Sequence, residues 1–118
     1  MNNRERLHLL RGIKELAACD EKHVAALLPF VDEACVPAGT VVAQEGRLCH
    51  QVVIVAAGEL EACRQGRPAS LSRGDAFGWD AMRERGHHDA TVRALSPARL
   101  LVMSHEQFRA VEALALAG

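Results

Sequence analysis

Four cysteines and one run of histidines are the side chains in this sequence most suited to chemistry. Cys19, Cys35, Cys49 and Cys63 are dispersed, and none belongs to a Cys-x-x-Cys pair that would bind zinc or exchange disulfides. Isolated thiols of this kind are typical of reduced cysteines packed in the core of a protein from a reducing compartment. We therefore expect four reduced, buried thiols and a cytoplasmic protein.

His87, His88 and Asp89 are consecutive and have the residue types of a metal site. Adjacent residues on a strand point to opposite faces, so the two histidines could ligate one ion only from a loop, whereas a His-x-His pair could do so from a strand. Two surface histidines ahead of a strand are the simpler interpretation. We predict no metal cofactor and keep a cupin-like metal protein as the less favoured alternative.

Nucleophilic catalysis has no support in the spacing of the serines and cysteines. Cys49 and His50 are adjacent, but a thiol–imidazole pair needs facing side chains and a third group that orients the base. The serines stand at predicted turns and caps (Ser70, Ser72, Ser96 and Ser104). We predict that the protein is not an enzyme.

Length and charge balance limit the function further. With 118 residues, 49% of them apolar, residues 1–118 are expected to form one domain with its own core. The 14 basic and 15 acidic residues give a formal charge of −1, so we expect no direct binding of nucleic acid. The longest uncharged apolar run, residues 52–57, is too short to cross a membrane, and no membrane partner is expected.

The elements that must position these residues begin with a helical region at residues 1–31. Apolar residues recur there at three- and four-residue spacing in two stripes (Leu7, Leu10, Ile13, Leu16 and Ala17, then Val24, Leu27, Leu28 and Val31). Asp20 is a suitable N-cap for the second helix, and Pro29 should limit its length.

Residues 36–103 have a different pattern, in which glycines separate short segments rich in Val, Ile, Leu and Ala. These intervals predict strands joined by tight turns, as in a sandwich, jelly roll or barrel (Gly39, Gly46, Gly58, Gly66, Gly74, Gly78 and Gly86). Alternation of acidic and apolar residues at 59–62 predicts that one face of a sheet is wet. The predicted fold class is mainly β with flanking helices.

Residues 104–117 are predicted to form a C-terminal helix. Ser104 and Gln107 have the spacing of a capping box, in which each side chain bonds the backbone N–H of the other residue. Met103 and Phe108 flank the box at the positions of a hydrophobic staple. Leu114 and Leu116 extend the apolar stripe, so this helix could cover the strands or contact a second copy or another protein.

Several strand and turn segments of the chain have the residue types and the spacing of a known domain pattern. They are Pro37-Ala38-Gly39, Gln44-Glu45-Gly46, the strand at 52–55, Gly58, Gly66, Gly74-Asp75-Ala76-Phe77-Gly78, Ala90-Thr91-Val92 and the helix start at Ser104. Through them the chain resembles the cyclic-nucleotide-binding domains of catabolite-activator/Fnr-type regulators, protein kinase A regulatory subunits and gated channels. The resemblance implies an eight-stranded jelly roll (double-stranded β-helix) and, between Phe77 and Val92, a cassette whose backbone amides bind a cyclic phosphate.

The cassette departs from the pattern of that family at three positions. Trp79 stands where the family has a Glu that holds the ribose, His88 where it has an Arg that pairs with the phosphate, and Asp89 where it has a small residue. Neutral His lacks the planar charged fork of Arg, and an Asp that faces the pocket would repel phosphate. Loss of an ion pair worth about 3 kcal/mol predicts that affinity for a cyclic nucleotide falls by orders of magnitude.

Two arginines in the same cassette, Arg83 and Arg85, could replace the lost one, although a solvated charged face is their more ordinary role. Trp79 either fills the ribose site or offers a stacking surface to a different flat ligand. The predicted ligand site therefore comprises Phe77, Gly78, Trp79, Arg83, Arg85, His88, Asp89, Ala90 and Thr91.

These observations favour a non-enzymatic regulatory domain that senses a small molecule, with binding of cyclic AMP or cyclic GMP weak or lost. The alternative is a protein-interaction or dimerisation module that uses the fold as a scaffold and the C-terminal helix or the Trp79 region as its contact surface. A DNA-reading helix-turn-helix would have to follow the last helix, and we expect the present sequence to lack one.

Overall fold

A computed structural model describes residues 1–117, and the side chains through Leu114. The helices in this part of the chain are α1 (Asn3–Gly12), α2 (Glu21–Ala25), α3 (Trp79–Glu84) and α4 (His105–Ala117), with 3₁₀ turns at Lys14–Leu16 and Leu28–Phe30. The strands are β1 (Asp32–Val36), β2 (Val41–Ala43), β3 (Gln51–Ala57), β4 (Leu60–Arg64), β5 (Arg67–Leu71), β6 (Ala76–Phe77), β7 (Thr91–Ala94) and β8 (Ala98–Ser104).

The N-terminal region is helical, but its first apolar stripe does not form one continuous helix. Helix α1 ends at Gly12, and Ile13 has extended backbone before the stripe continues in a 3₁₀ turn. Glycine is a poor helix former, so the break falls where the sequence offers least resistance. Asp20 caps α2 as predicted, since its carboxylate accepts from the His23 N–H at 2.8 Å, and Pro29 lies in the 3₁₀ turn beyond the end of α2.

The strands form two four-stranded antiparallel sheets. Sheet 1 has the order β1-β8-β3-β6, and sheet 2 has the order β2-β7-β4-β5. This arrangement confirms the predicted mainly-β jelly roll with flanking helices. The first strand begins at Asp32 rather than at 36, because β1 is an edge strand whose charged residues Asp32 and Glu33 produce no apolar pattern.

Strand β3 is buried on both of its faces, which explains its uninterrupted apolar sequence. Val53 and Val55 face a core between the two sheets. Val52 and Ile54 face the opposite way, into a second cluster that we name the helix-side core. Its buried members come from β3, β8, all four helices and the turns and loops that connect these elements: Leu9, Leu10, Ile13, Leu16, Val24, Leu27, Val31, Cys49, Val52, Ile54, Ala56, Trp79, Met82, Leu101, Met103, Phe108 and Val111.

The start of α4 has the predicted capping box. The Ser104 N–H donates to Gln107 Oε1 at 2.8 Å, and the Gln107 N–H donates to Ser104 Oγ at 3.4 Å. Met103 and Phe108 are both buried in the helix-side core, as the staple requires. Leu116 lies outside the described side chains. Among the helices described, none has the length and apolar character needed to cross a bilayer.

The four cysteines are free thiols, but they differ in exposure. Cys49 is buried as predicted, and Cys19 and Cys63 are half-buried. The prediction of a buried thiol is wrong for Cys35, which is exposed because it lies on β1, the edge strand of its sheet. Burial raises the pKa of the Cys49 thiol, and its S–H donates to the Gln51 carbonyl. Cys49 therefore serves packing rather than reactivity.

The turn into α3 is a position where a side chain would not fit. Gly78 has φ +93°, and a Cβ there would lie 2.7 Å from the Gln51 carbonyl oxygen on β3. We expect Gly78→Ala to lower the free energy of unfolding by about 2 kcal/mol or more, because left-handed backbone strain is added to a clash with a rigid strand. Chemical denaturation measures the change.

The matched control is Gly74→Ala. Its φ is +95°, but a Cβ there would meet no atom within 4 Å, so it carries the backbone strain without the clash. Equal losses of stability in the two variants would contradict the steric role of Gly78.

Candidate functional site

A cavity of about 430 Å³ lies between α3 and sheet 2. This volume falls within the range of roughly 300–1,000 Å³ that is usual for small-molecule sites. Its lining comes from the strands of sheet 2 (Ala62, Arg64, Leu71, Val92), the approach to α3 and the helix itself (Ala76, Phe77, Gly78, Trp79, Asp80, Ala81, Glu84), the loop before β7 (His87, His88, Asp89, Ala90) and the N-terminal 3₁₀ turn (Lys14, Glu15).

Six of the nine predicted site residues line this cavity: Phe77, Gly78, Trp79, His88, Asp89 and Ala90. Arg83 and Arg85 do not. They line a different, smaller cavity between α3 and α4, because they project from the C-terminal end of α3. Thr91 also lies outside the lining, and its hydroxyl accepts from the Glu45 N–H at 3.0 Å. The alternative in which Arg83 or Arg85 replaces the lost arginine therefore finds neither side chain in the lining of this cavity.

Trp79 is the first residue of α3, and its ring is anchored in the helix-side core. It is 5% exposed and packs edge-to-face on Phe108, with the ring centroids 5.0 Å apart. A ring so deeply buried offers no open stacking surface to a ligand. Its Nε1 has no hydrogen-bond partner among the described residues, a state that typically costs about 1–3 kcal/mol. The structure favours an anchoring role for Trp79.

His88 is half-buried in the loop that leads into β7. Its backbone N–H donates to the Arg47 carbonyl at 2.8 Å, and its backbone carbonyl accepts from the Gly46 N–H at 2.9 Å. These two bonds connect the cassette loop to the loop between β2 and β3. The imidazole packs edge-on to Phe77, with centroids 6.5 Å apart. Burial lowers the pKa of His88 from its ordinary value near 6.5, Asp89 opposes this shift and His50 adds to it. His88 is therefore neutral at pH 7.

Asp89 forms an ion pair with Arg64 from the end of β4. Its Oδ2 lies 2.7 Å from Arg64 Nη2, and both side chains are more than half exposed at the edge of the cavity. An exposed pair of this kind contributes at most about 1 kcal/mol to stability. Its main consequence is electrostatic, because a guanidinium already paired with a carboxylate is a weaker partner for a ligand anion.

The remaining charges of the lining are mostly negative. Among the described residues, four carboxylates line the cavity against two cationic side chains (Glu15, Asp80, Glu84 and Asp89 against Lys14 and Arg64). Asp80 stands in the first turn of α3, where a negative side chain is favoured by the backbone N–H groups that have no partner within the helix. Asp80 therefore places negative charge where an anionic ligand would approach those amides.

Sequence reasoning missed five charged residues of the lining (Lys14, Glu15, Arg64, Asp80 and Glu84). Arg64 had a usable signal, because the alternation of Leu60 and Ala62 on β4 places the next alternate residue on the same face. Lys14 and Glu15 had none, since only the packing of the N-terminal turn against α3 brings them to the cavity.

The described part of the chain contains no group of three or more His, Cys, Asp or Glu side chains arranged to hold a metal ion. His87, His88 and Asp89 all line the cavity, but among the described residues they do not form a group arranged to hold an ion. The cupin-like alternative therefore receives no support from a ligand set.

An antiparallel jelly roll with a short helix over a small-molecule cavity defines a class of ligand-binding domain. The model of the cyclic nucleotide-binding domain matches residues 34–113 of this sequence. The chain belongs to the cyclic nucleotide-binding domain family.

Solved structures show the same fold. The regulatory domain of Toxoplasma gondii PKA, crystallised with cAMP, is 25% identical with a TM-score of 0.84, and the match covers 97% of this chain and 46% of that chain. The cAMP-bound regulatory protein PfPKA-R is 16% identical with a TM-score of 0.82, covering 96% of this chain and 40% of that chain. The Thermus thermophilus catabolite activator protein is 22% identical with a TM-score of 0.72, and the match covers 85% of this chain and 51% of that chain.

The present chain thus spans less than half the length of the two PKA proteins. No curated protein matches the sequence at a significant level.

The lowered pKa of His88 predicts a pH dependence of stability. Because the pKa is lower in the folded state than in the unfolded chain, the unfolded chain binds more protons as the pH falls below about 6.5, and stability falls with it. When the pH is lowered from neutral to mildly acidic, we expect the free energy of unfolding to fall less for His88→Gln than for the wild type. Thermal unfolding at a series of pH values measures this difference.

His8→Gln is the control, because His8 is exposed on α1. If His88→Gln kept the full acid sensitivity of the wild type, the buried neutral imidazole would not be its source.

Proposed function

We propose that this domain is a non-enzymatic regulatory module that senses a small molecule in the 430 Å³ cavity, and that cyclic nucleotides bind there weakly or not at all. Membership of a family whose domains are typically regulatory supports the first part. The location of the cavity, between a jelly roll and a short helix, supports it as well. The charges around the cavity carry the second part.

The observation that carries the proposal is the Asp89–Arg64 ion pair beside a neutral His88. In the pattern of the family, the loop before β7 supplies an arginine that pairs with the cyclic phosphate. Here that position holds an uncharged imidazole, the next residue is a carboxylate, and the nearest guanidinium is already paired. A phosphodiester entering the cavity would have to displace Asp89 to pair with Arg64, which leaves Lys14 as the other cation in the described lining.

The position of Trp79 removes a second expected contact. In the pattern of the family, a glutamate at this position holds the ribose of the nucleotide. Here the indole of Trp79 is directed instead to Phe108 in the helix-side core. The cavity therefore lacks both polar anchors of a cyclic nucleotide while keeping its space. A surplus of carboxylates in the lining favours a neutral or positively charged ligand.

A homodimer or protein contact through the C-terminal helix stays a prediction. Leu114 is 38% exposed on α4. Among the described side chains of α4 it is the one exposed large apolar residue, and its area is small beside the roughly 1,000 Å² that a specific interface usually buries. The sensing role is therefore the better supported of the two functions.

The test is calorimetric titration of the domain with cyclic AMP and with cyclic GMP near neutral pH. We expect no binding of micromolar affinity by the wild type. The double variant His88→Arg/Asp89→Ala should bind at least about tenfold more tightly, because it supplies a charged fork and releases Arg64 from its pair.

The matched control is His87→Arg/Asp89→Ala, which makes the same change of charge at the exposed neighbour. Micromolar or tighter binding by the wild type would overturn the proposal that nucleotide binding is weak. Equal gains in the two double variants would show that net charge, rather than the position of His88, limits binding.

A further inference from the structure

A second cavity, of about 120 Å³, lies between the C-terminal end of α3 and the first turns of α4. Its lining is predominantly basic: Arg83 and Arg85 from the end of α3, His105 and Arg109 from α4, a single carboxylate from Glu112, and the apolar side chains of Met82 and Phe108. Arg83 and Arg85 are the two cassette arginines that do not line the 430 Å³ cavity, and Arg109 is a third arginine beside them.

Two of the three guanidinium groups lack an ion-pair partner. Arg83 Nε lies 3.6 Å from Glu112 Oε2, which accounts for the one carboxylate. Arg85 and Arg109 make no ion pair with any side chain in the described part of the chain. Positive charges gathered on one small cavity repel one another, and a bound anion removes that cost. The concentration is local, because the formal charge of the chain is −1.

The size and floor of the cavity restrict the anion. A volume of about 120 Å³ is well below the roughly 300 Å³ at which sites for whole small molecules begin, so it suits a single tetrahedral group. Met82 and Phe108 are 3% and 2% exposed, and they form an apolar floor that excludes water from one side. The guanidinium fork matches the oxygens of phosphate in a bidentate geometry.

Local backbone structure sets the positions from which the exposed arginine side chains project. Arg85 has φ +54° at the end of α3, and its N–H donates to the Met82 carbonyl at 3.3 Å. Arg109 lies on α4, whose start is fixed by the capping box at Ser104. The two side chains thus come from elements with defined ends.

We propose that the cavity formed by Arg83, Arg85, Arg109 and His105 is a site for a phosphate dianion, either inorganic phosphate or the terminal group of a small phosphate monoester. It is separate from the 430 Å³ cavity and does not depend on the ligand sensed there. A cyclic nucleotide carries only one negative charge on a phosphodiester, so it is a poor ligand for this site.

The experiment is an amide NMR titration of the domain with inorganic phosphate, with glycerol phosphate and, for comparison, with cyclic AMP at constant ionic strength. We expect saturable shifts at residues 83–86 and 105–109 with the first two ligands and none there with cyclic AMP. Tighter binding of inorganic phosphate would identify the free ion as the ligand, and tighter binding of glycerol phosphate a phosphorylated small molecule.

The variant Arg85→Asn/Arg109→Gln should bind phosphate at least about tenfold more weakly. Asparagine tolerates the positive φ at 85, so this variant removes the charges with little backbone strain. The variant Arg85→Asn/Arg109→Lys should bind phosphate more tightly than Arg85→Asn/Arg109→Gln, because lysine keeps the positive charge at 109 without the guanidinium fork. The matched control is Arg47→Gln/Arg67→Gln, which removes two exposed arginines elsewhere and should leave affinity within about twofold. Absence of saturable shifts, or an equal loss in the control, would overturn the proposal.

Discussion

The edge-to-face contact between Trp79 and Phe108 fixes α3 against α4, and the two cavities that α3 lines depend on it. At one end of α3, Gly78 lets the chain approach β3 closely and turn into the helix. At the other end, Arg83 and Arg85 project toward α4. Because interiors are close-packed, a shift of the indole would displace both ends together. The helix is short, so its own hydrogen bonds contribute little to its position.

The same helix separates two environments of opposite charge. The cavity against sheet 2 has more carboxylates than cations, while the cavity against α4 has three guanidinium groups and one carboxylate. The nearly neutral composition of the chain conceals this separation. His88 and Asp89 stand where the family resemblance implies an arginine and a small residue, and Asp89 pairs with Arg64 at the edge of the cavity against sheet 2.

Local signals in the sequence predicted those parts of the structure that local physics controls. The capping box at Ser104 and Gln107, the N-cap at Asp20 and the glycine-separated strands all depend on residues within a few positions of one another. The break of the first helix at Gly12 and the early start of β1 at Asp32 were not predicted. The start of β1 depends on its pairing with β8, which is distant in sequence, whereas the break at Gly12 follows from the poor helix propensity of glycine.

The sequence by itself determined the fold class, the cassette region and the absence of an arginine at position 88, because these follow from residue types and their spacing. Only the tertiary structure decided where the side chains of the cassette point. Trp79 turns to Phe108, Asp89 pairs with Arg64, and Arg83 and Arg85 face α4 rather than the larger cavity. Each of these choices depends on a partner from another element, so charge and burial at the site became defined only when the elements packed together.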